Sequence, residues 1–199
     1  MNPSAADPAS PSDLEARLIG ILRETPNLMT VLRTARSLGL PDWLIFSGAV
    51  YQPVMNHLTG RDPDHGIKDY DLGYYDPADT SYEAEDAVIR RVAAAFDTPL
   101  RDMVEVRNQA RVHLWFEDHF GEPYAPLGRT TEALTRFTSA TFAVGVRLEA
   151  DDRLHIEAPF GLEDLFALRL RPNPTRKTAG FARTAAATLA RWPEVTVEV

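Results

Sequence analysis

Two amphipathic helices are predicted near the start of the chain. Apolar side chains recur there at helical spacing in two groups, Leu14, Leu18, Ile21 and Leu22, then Leu28, Leu32, Ala35 and Leu38. Ser12 and Glu15 have the spacing of a capping box, so the first helix is predicted to begin at Ser12. Pro26 separates the two helices, and Gly39 ends the second.

The remainder of the chain alternates between strand-like and helix-like patterns. Strands are predicted at 43–46, 69–75 and 103–106, with helices at 48–60 and 81–96 between them. A hairpin is predicted over 141–159 and a final helix over 177–191. The segment 108–120 alternates like a strand, but its length, Asn108 as an N-cap and Gly121 beyond its end favour a helix. This order predicts a mixed α/β or α+β domain.

The composition indicates an ordinary globular protein and excludes several classes of function. The 199 residues suffice for one domain, and 44% of them are hydrophobic, as in ordinary globular proteins. The absence of cysteine excludes disulfides, thiolate catalysis and cysteine-bound zinc, which fits a cytoplasmic protein. No apolar run is long enough to span a membrane, and the first residues do not resemble a secretory signal. The net charge of −8 argues against extended nucleic-acid binding as a function.

The charge is unevenly distributed along the chain. Between residues 165 and 193 there is no acidic residue, yet six basic ones are present, Arg169, Arg171, Arg176, Lys177, Arg183 and Arg191. This segment either pairs with acids elsewhere in the chain or forms a local anion site, and the spacing alone favours pairing.

Three carboxylates occupy strand-like segments. Asp69 and Asp71 are two positions apart, so in a strand both side chains would project from the same face, about 7 Å apart. Glu105 lies between Val104 and Val106 in the next predicted strand. Such acids can be solvent-facing residues that discourage aggregation at a sheet edge. If the strands are neighbours, however, the three acids form an oxygen-only site suited to Mg²⁺ or Mn²⁺.

A small-residue turn precedes these acids. Ser47 and Gly48 follow the strand 43–46 and open the next helix. At such a turn the backbone can approach a phosphate closely, and the free amides of the helix N-terminus can bind it.

The combination of this turn with the acids resembles the polymerase-β-like nucleotidyltransferase superfamily. More specifically, the phrases SGAVYQPVMNHL, IKDYDLGYYD, EVRNQARVHLW, APFGLEDLF and LRPNP resemble a bacterial nucleotidyltransferase-like family from about Trp43 to the C-terminus. The resemblance implies a polymerase-β-like nucleotidyltransferase fold, with a mixed central sheet flanked by helices. It implies a single nucleotidyltransferase-like domain at 12–199. Residues 1–11 are mostly Pro, Ala, Ser and Asp, and this composition predicts a disordered tail.

The resemblance also implies a mechanism and a set of site residues. Asp69, Asp71 and Glu105 would be catalytic and would hold two Mg²⁺ or Mn²⁺ ions, while Ser47 and Gly48 would contact the phosphates of an NTP. The nucleotide would be transferred to a hydroxyl of an unknown acceptor, a small molecule or a protein.

Three polar residues after Glu105 are further candidates for nucleotide contact. Asn108, Gln109 and Arg111 lie in the run RNQARVH and could contact a base, a ribose or the acceptor. Equally, Asn108 could serve only as a helix cap, and Arg111 could only hold the carboxylates in place.

Two alternative functions stay open at this stage. The family's turn is usually Gly-Gly or Gly-Ser, whereas this chain has Ser-Gly, and the loop before Asp69 is long. These departures allow a catalytically inactive protein of the same fold that binds a nucleotide or a partner. The acidic body with a basic C-terminal segment allows an interaction protein with one dedicated partner.

Overall fold

The structure is a computed structural model that describes residues 10–176 and 180–198. It contains eight α-helices within these residues, α1 (Pro11–Arg23), α2 (Pro26–Leu38), α3 (Gly48–Leu58), α4 (Tyr82–Ala94), α5 (Leu100–Met103), α6 (Phe116–Phe120), α7 (Glu163–Phe166) and α8 (Phe181–Arg191). The strands are β1 (Leu44–Phe46), β2 (Tyr70–Tyr74), β3 (Val104–Asn108), β4 (Gly145–Leu148), β5 (Leu154–Glu157), β6 (Arg169–Leu170) and β7 (Thr196–Val197). Two 3₁₀ helices, Val112–Leu114 and Thr130–Arg136, complete the described secondary structure.

The first five strands form one mixed sheet in the order β3-β2-β1-β4-β5. β1 is antiparallel to both β2 and β4, and the hairpin partners β4 and β5 are antiparallel to each other. β2 and β3 are parallel, because α4 returns the chain to the same end of the sheet between them. The predicted mixed sheet flanked by helices is therefore confirmed.

The sheet separates two apolar clusters of unequal size. Alternate residues of the strands, such as Ile45, Leu72 and Val146, face a large core that also receives α1, α2 and α3. On the opposite face, Leu44 and Phe46 meet Leu134 and Ala143 in a small cluster. The strands are thus anchored mainly from one side, which leaves the other side of β2 and β3 open for polar groups.

The start of α1 corrects the predicted cap. The N-cap is Ser10, whose hydroxyl accepts a hydrogen bond from the Asp13 amide at 3.3 Å, while the Asp13 carboxylate accepts one from the Ser10 amide at 3.1 Å. The capping box therefore lies two residues before the predicted Ser12–Glu15 pair. The predicted tail at 1–11 lies outside the described residues as far as position 9, but Ser10 and Pro11 belong to the helix.

The segment after β3 is the largest error of the sequence-based prediction. Asn108 does not cap a helix over 108–120; it is the last residue of β3 and is buried. A turn, the 3₁₀ helix Val112–Leu114 and the five-residue α6 follow, and Gly121 ends α6 with φ 70° as expected. The strand-like alternation was correct for Asn108 alone, because β3 continues through this residue, two positions beyond the predicted end of the strand.

The C-terminal region contains elements that the sequence did not reveal. The predicted hairpin is confirmed, with Asp152 at its turn. The final helix is described from Phe181, and its predicted start at Lys177 lies outside the described residues. The two-residue strands β6 and β7 lie before and after this helix and pair in parallel; they are too short to leave a pattern in the sequence.

Gly73 lies where the face of β2 opposite the large core is covered by Phe46 and Thr130, so it tests how tightly they pack there. A Cβ atom at this position would lie 2.5 Å from Cε1 of Phe46 and 3.0 Å from Cγ2 of Thr130. We expect Gly73→Ala to lower the free energy of unfolding by about 1–3 kcal/mol, because overpacking forces neighbours to move. The measurement is urea denaturation.

The matched control is Gly20→Ala in α1, where nothing lies within 4 Å of the added atom. Alanine is the better helix former, so this variant should gain about 0.5–1 kcal/mol. Equal effects of the two substitutions would contradict the close packing of β2 against Phe46 and Thr130.

Candidate active site

The parallel pairing of β2 and β3 brings the predicted acids together. Asp71 and Glu105 are directly opposed in the register of the two strands, and Asp69 lies just before β2. Tyr70 and Leu72 on either side of Asp71 are buried in the large core, so the Asp71 side chain projects from the opposite face. The three carboxylates thus share one face of the sheet, as the spacing predicts.

Both burial and the neighbouring carboxylates disfavour the ionised form of Asp71. Burial raises the pKa of Asp71 to about 7, and the negative charges of Asp69 and Glu105 act in the same direction. The positive charge of Arg107 and a hydrogen bond from Ser47 oppose this rise. Asp71 is therefore a carboxylate whose ionised form is poorly compensated by the protein alone.

The turn that opens α3 lies beside the acids. Ser47 has φ 64° and ψ −134°, a backbone conformation that favours glycine, and its amide donates to the Val144 carbonyl at 3.2 Å. A Cβ atom on Gly48 would lie 3.9 Å from Oδ1 of Asp69 and 2.5 Å from Nε2 of Gln52. No side chain caps this helix N-terminus, so its first amides face the acidic end of β2.

The donor set fits a hard divalent cation in its chemistry. All three groups are carboxylates, which are the preferred ligands of Mg²⁺ and Mn²⁺, and a bound cation would compensate the charge that raises the pKa of Asp71. Within residues 10–176 and 180–198, however, no three His, Cys, Asp or Glu side chains are arranged as a formed metal cage. The acids are close enough to repel one another, but their side chains are not preorganised around an ion.

Two of the predicted nucleotide contacts lie elsewhere. Arg111 forms a buried ion pair with Glu85 of α4, and its Nε donates to the Thr80 carbonyl at 3.0 Å. The Asn108 amide also donates to Glu85, at 2.8 Å, and the Asn108 side chain binds both backbone groups of Asp76. The structure therefore joins Asn108 and Arg111 to α4 and the end of β2, and does not bring them to the acids.

Gln109 and two residues that the sequence analysis missed are near the acids. Gln109 is buried and lines a cavity together with Asp71. Arg107 follows Glu105 by two residues on the same face of β3, and it lines the same cavity. Tyr51, one turn into α3, has its ring stacked on Phe142 at 3.7 Å between centroids. The i, i+2 argument that paired Asp69 with Asp71 also predicts Arg107 beside Glu105.

This cavity has a volume of about 760 Å³ and opens at the same face of the sheet. Ser47 and Asp71 lie at one part of its lining, and the remainder consists mostly of aromatic side chains and arginines. Its volume is in the range of small-molecule binding sites, which are commonly about 300–1,000 Å³. The acids therefore adjoin a space in which a substrate fits.

Three of the five described basic residues of the C-terminal segment pair with acids, as expected from the sequence. Arg169 and Arg171 both bind the Asp164 carboxylate, Arg169 at 2.7 Å. Arg176 pairs with Glu122 at 2.5 Å. Arg183 lines the cavity, and it forms no ion pair with any residue in the described parts of the chain.

Comparison with known proteins shows the family to which the chain belongs. A family model described as "Nucleotidyltransferase" matches residues 33–197, so the chain belongs to a nucleotidyltransferase family. Its general class of activity is therefore nucleotidyl transfer, and the chain is an enzyme of that class.

A solved structure described by the words "The NMR structure of the protein reveals a CCA-adding enzyme head domain" has the same fold. It is superposable with a TM-score of 0.73, at 24% sequence identity, over 92% of this chain and 95% of that one. No curated protein matches the chain. Among the described residues, no helix is both long and apolar enough to cross a membrane.

The raised pKa of Asp71 predicts how stability changes with pH. The folded protein holds this proton up to pH of about 7, whereas the unfolded chain loses it near 3.8. The free energy of unfolding therefore falls as pH rises from about 4 to 7, because the folded protein resists ionisation of Asp71. Above pH 7 the loss is complete. In metal-free buffer, Asp71→Asn should raise the midpoint of thermal unfolding at pH 8 and leave it nearly unchanged at pH 4.

The control for this measurement is Asp152→Asn. The pKa of Asp152 is lowered, chiefly by the hydrogen bond from Arg36, so its charge stabilises the fold above pH 4. This variant should be less stable than the wild type at pH 8. If Asp71→Asn behaved like the control, the three acids would not be crowded against one another.

The ion pair of Arg111 with Glu85 predicts a structural role that can be separated from substrate binding. Arg111→Met leaves a buried carboxylate without its partner, so we expect a loss of about 3–5 kcal/mol in urea denaturation. Arg90→Met, which breaks the exposed Arg90–Asp86 pair, should cost less than about 1 kcal/mol. A drop in nucleotide affinity without a loss of stability would assign Arg111 to the substrate instead.

Proposed function

We propose that this nucleotidyltransferase moves an NMP from an NTP to a hydroxyl of an acceptor in a reaction assisted by two Mg²⁺ or Mn²⁺ ions. One observation carries the proposal: Asp69, Asp71 and Glu105 share one face of the sheet, beside the Ser47–Gly48 turn and the cavity. An anionic triphosphate alone would be repelled by these acids, so a cation between them is required by charge balance.

The N-terminus of α3 takes the terminal phosphates in this proposal. Its first amides are not capped by a side chain, and Gly48 allows the closest approach of the backbone. Asp69 and Asp71 would hold the ions on one side of the triphosphate, and Glu105 would complete the ligand set from β3. When bound, the ions lower the pKa of the attacking hydroxyl and neutralise the charge that builds up on the α-phosphate.

The remaining steps belong to the chain's own residues. The acceptor oxygen forms a bond to the α-phosphorus while the bond from that phosphorus to the bridging oxygen breaks, and pyrophosphate leaves with that oxygen. Glu105, which is exposed to solvent, helps to remove the hydroxyl proton and passes it to water. Arg107, on the same face of β3, is positioned to offset negative charge on the phosphates.

A second candidate is a catalytically inactive protein that binds a nucleotide or a partner through the same fold. It is favoured by the Ser47–Gly48 turn, where the superfamily usually has Gly-Gly or Gly-Ser. The two candidates differ in their need for metal and in turnover, and both properties can be measured on the same preparation.

The test uses NTPs labelled at either the α- or the γ-phosphate, with Mg²⁺ or Mn²⁺ and a cell lysate as the source of acceptor. Nucleotidyl transfer attaches the α-label to an acceptor and releases the γ-label as pyrophosphate. We expect Asp69→Asn and Asp71→Asn each to reduce the transfer by at least about 10²-fold, since each removes a charge that holds the ions.

Asp102→Asn, which alters an exposed acid on α5, serves as the matched control and should retain full activity. Calorimetry of metal binding supplies a readout besides activity. Tight NTP binding that ignores metal, with no transfer in any variant, would support the inactive protein and contradict the proposed reaction.

A further inference from the structure

One wall of the 760 Å³ cavity is a cluster of aromatic side chains that the proposed reaction does not use. We call the rings of Trp115, Phe116, Phe120 and Tyr124 the aromatic wall. Phe116 lies at its centre, with ring centroids 4.7 Å from Phe120 and 4.5 Å from Tyr124. Phe120 remains 55% exposed although it is a large apolar residue. Aromatic side chains that line a cavity together with a few polar groups are typical of a small-molecule binding site.

Arginines lie against the same wall. The Arg136 guanidinium is 5.7 Å from the Tyr124 ring, and that of Arg176 is 5.6 Å from the Phe116 ring. Of these two, Arg176 has a carboxylate partner, Glu122, whereas the buried Nε of Arg136 has no hydrogen-bond partner among the described residues. Arg136 also lines the cavity and forms no ion pair with any described residue, so its guanidinium can receive an anionic group of a ligand.

The nucleotide has other contacts available to it. Its phosphates are assigned to the N-terminus of α3, and a second cavity of about 370 Å³ adjoins α3 one turn later, where Tyr51 and Phe142 stack. That cavity extends along α8 to Arg191 and Trp192, and it does not include the aromatic wall. With the nucleotide placed along α3 and α8, the wall is left for the second substrate, and Ser47 and Asp71 line the same cavity as the wall.

We propose that the aromatic wall with Arg136 is the acceptor site, and that the acceptor is a small molecule with a planar ring, an anionic group and a hydroxyl. This assignment rests on the proposed nucleotidyl transfer. The ring stacks on Phe116 and its neighbours, the anionic group binds Arg136, and the hydroxyl points toward Asp71.

The size and the charge of the site favour a small molecule over a nucleic acid. The cavity is within the volume range of small-molecule sites, and its unpaired arginines are few and local among the described residues. The chain as a whole carries a net charge of −8, which repels an extended polyanion. A compact anion meets the local positive charge without approaching the acidic remainder of the surface.

The test uses 8-anilinonaphthalene-1-sulfonate, a planar aromatic anion whose fluorescence rises on binding, as the probe for the folded protein. We expect one molecule to bind per chain. Phe116→Ala and Arg136→Met should each weaken its binding by about tenfold, which corresponds to the loss of one stacking or ionic contact. Phe116→Leu keeps an apolar side chain, so it provides a second variant should the alanine variant fail to fold.

Two matched controls separate the wall from general surface effects. Leu114→Ala alters an exposed apolar residue that does not line the cavity, and Arg90→Met alters an exposed arginine of α4. Both should bind the probe like the wild type. Absence of stoichiometric binding, or equal losses in the controls, would overturn the proposal.

Two competition arms distinguish this proposal from the proposed function. ATP with Mg²⁺ should bind without displacing the probe. Displacement would show that the nucleotide occupies the wall, which overturns the acceptor assignment and leaves the reaction intact. Failure of all four NTPs to bind with Mg²⁺ would instead remove the proposed function on which the assignment rests. A single-stranded RNA oligonucleotide that displaces the probe would assign the wall to a polynucleotide and overturn the small-molecule acceptor.

Discussion

The parallel pairing of β2 with β3 is the constraint on which the candidate site depends. It sets Asp71 against Glu105 in the strand register, and the two-residue period of β2 then directs Asp69 and Asp71 to the same side. Burial and these neighbouring like charges together raise the pKa of Asp71 to about 7, so its ionised form destabilises the fold. The sheet holds this arrangement because the opposite faces of both strands are packed into the large core.

The features that destabilise the fold lie at the proposed active site. Besides the crowded acids, Ser47 holds a backbone conformation that favours glycine, at the turn where β1 passes into α3. Both features are anchored by well-packed neighbours, since Phe46 before the turn and Ala49 after it are buried. Strain and uncompensated charge of this kind persist when a ligand stabilises them or when the surrounding core is strong enough to retain them.

Sequence patterns predicted the elements that depend on local periodicity and failed where distant contacts decide. The alternation around Asp71 and the helical repeats of α1 and α2 are local, so they could be read directly. The role of Arg111 could not be predicted in this way. Its partner Glu85 is distant in sequence, in the helix α4 that connects β2 to β3, and the two meet only in the folded protein. Helix signals at both ends of 108–120 outweighed the alternation at its start, although β3 continues through Asn108. Arg107 was within reach of the same period-two argument as the aspartates.

The distribution of arginines explains how an acidic protein can present a local site for anions. The segment without acids must find its partners elsewhere in the chain, and Asp164 takes two of its arginines while Glu122 takes a third. Three arginines without an ion pair among the described residues, Arg183 of this segment together with Arg107 and Arg136, line the cavity that also contains Asp71. Ion pairing thus neutralises three arginines of this segment, while unpaired positive charge lies in the cavity beside Asp71. A substrate that carries phosphate or another compact anion is attracted to this cavity, whereas the net charge of the whole protein opposes a long polyanion.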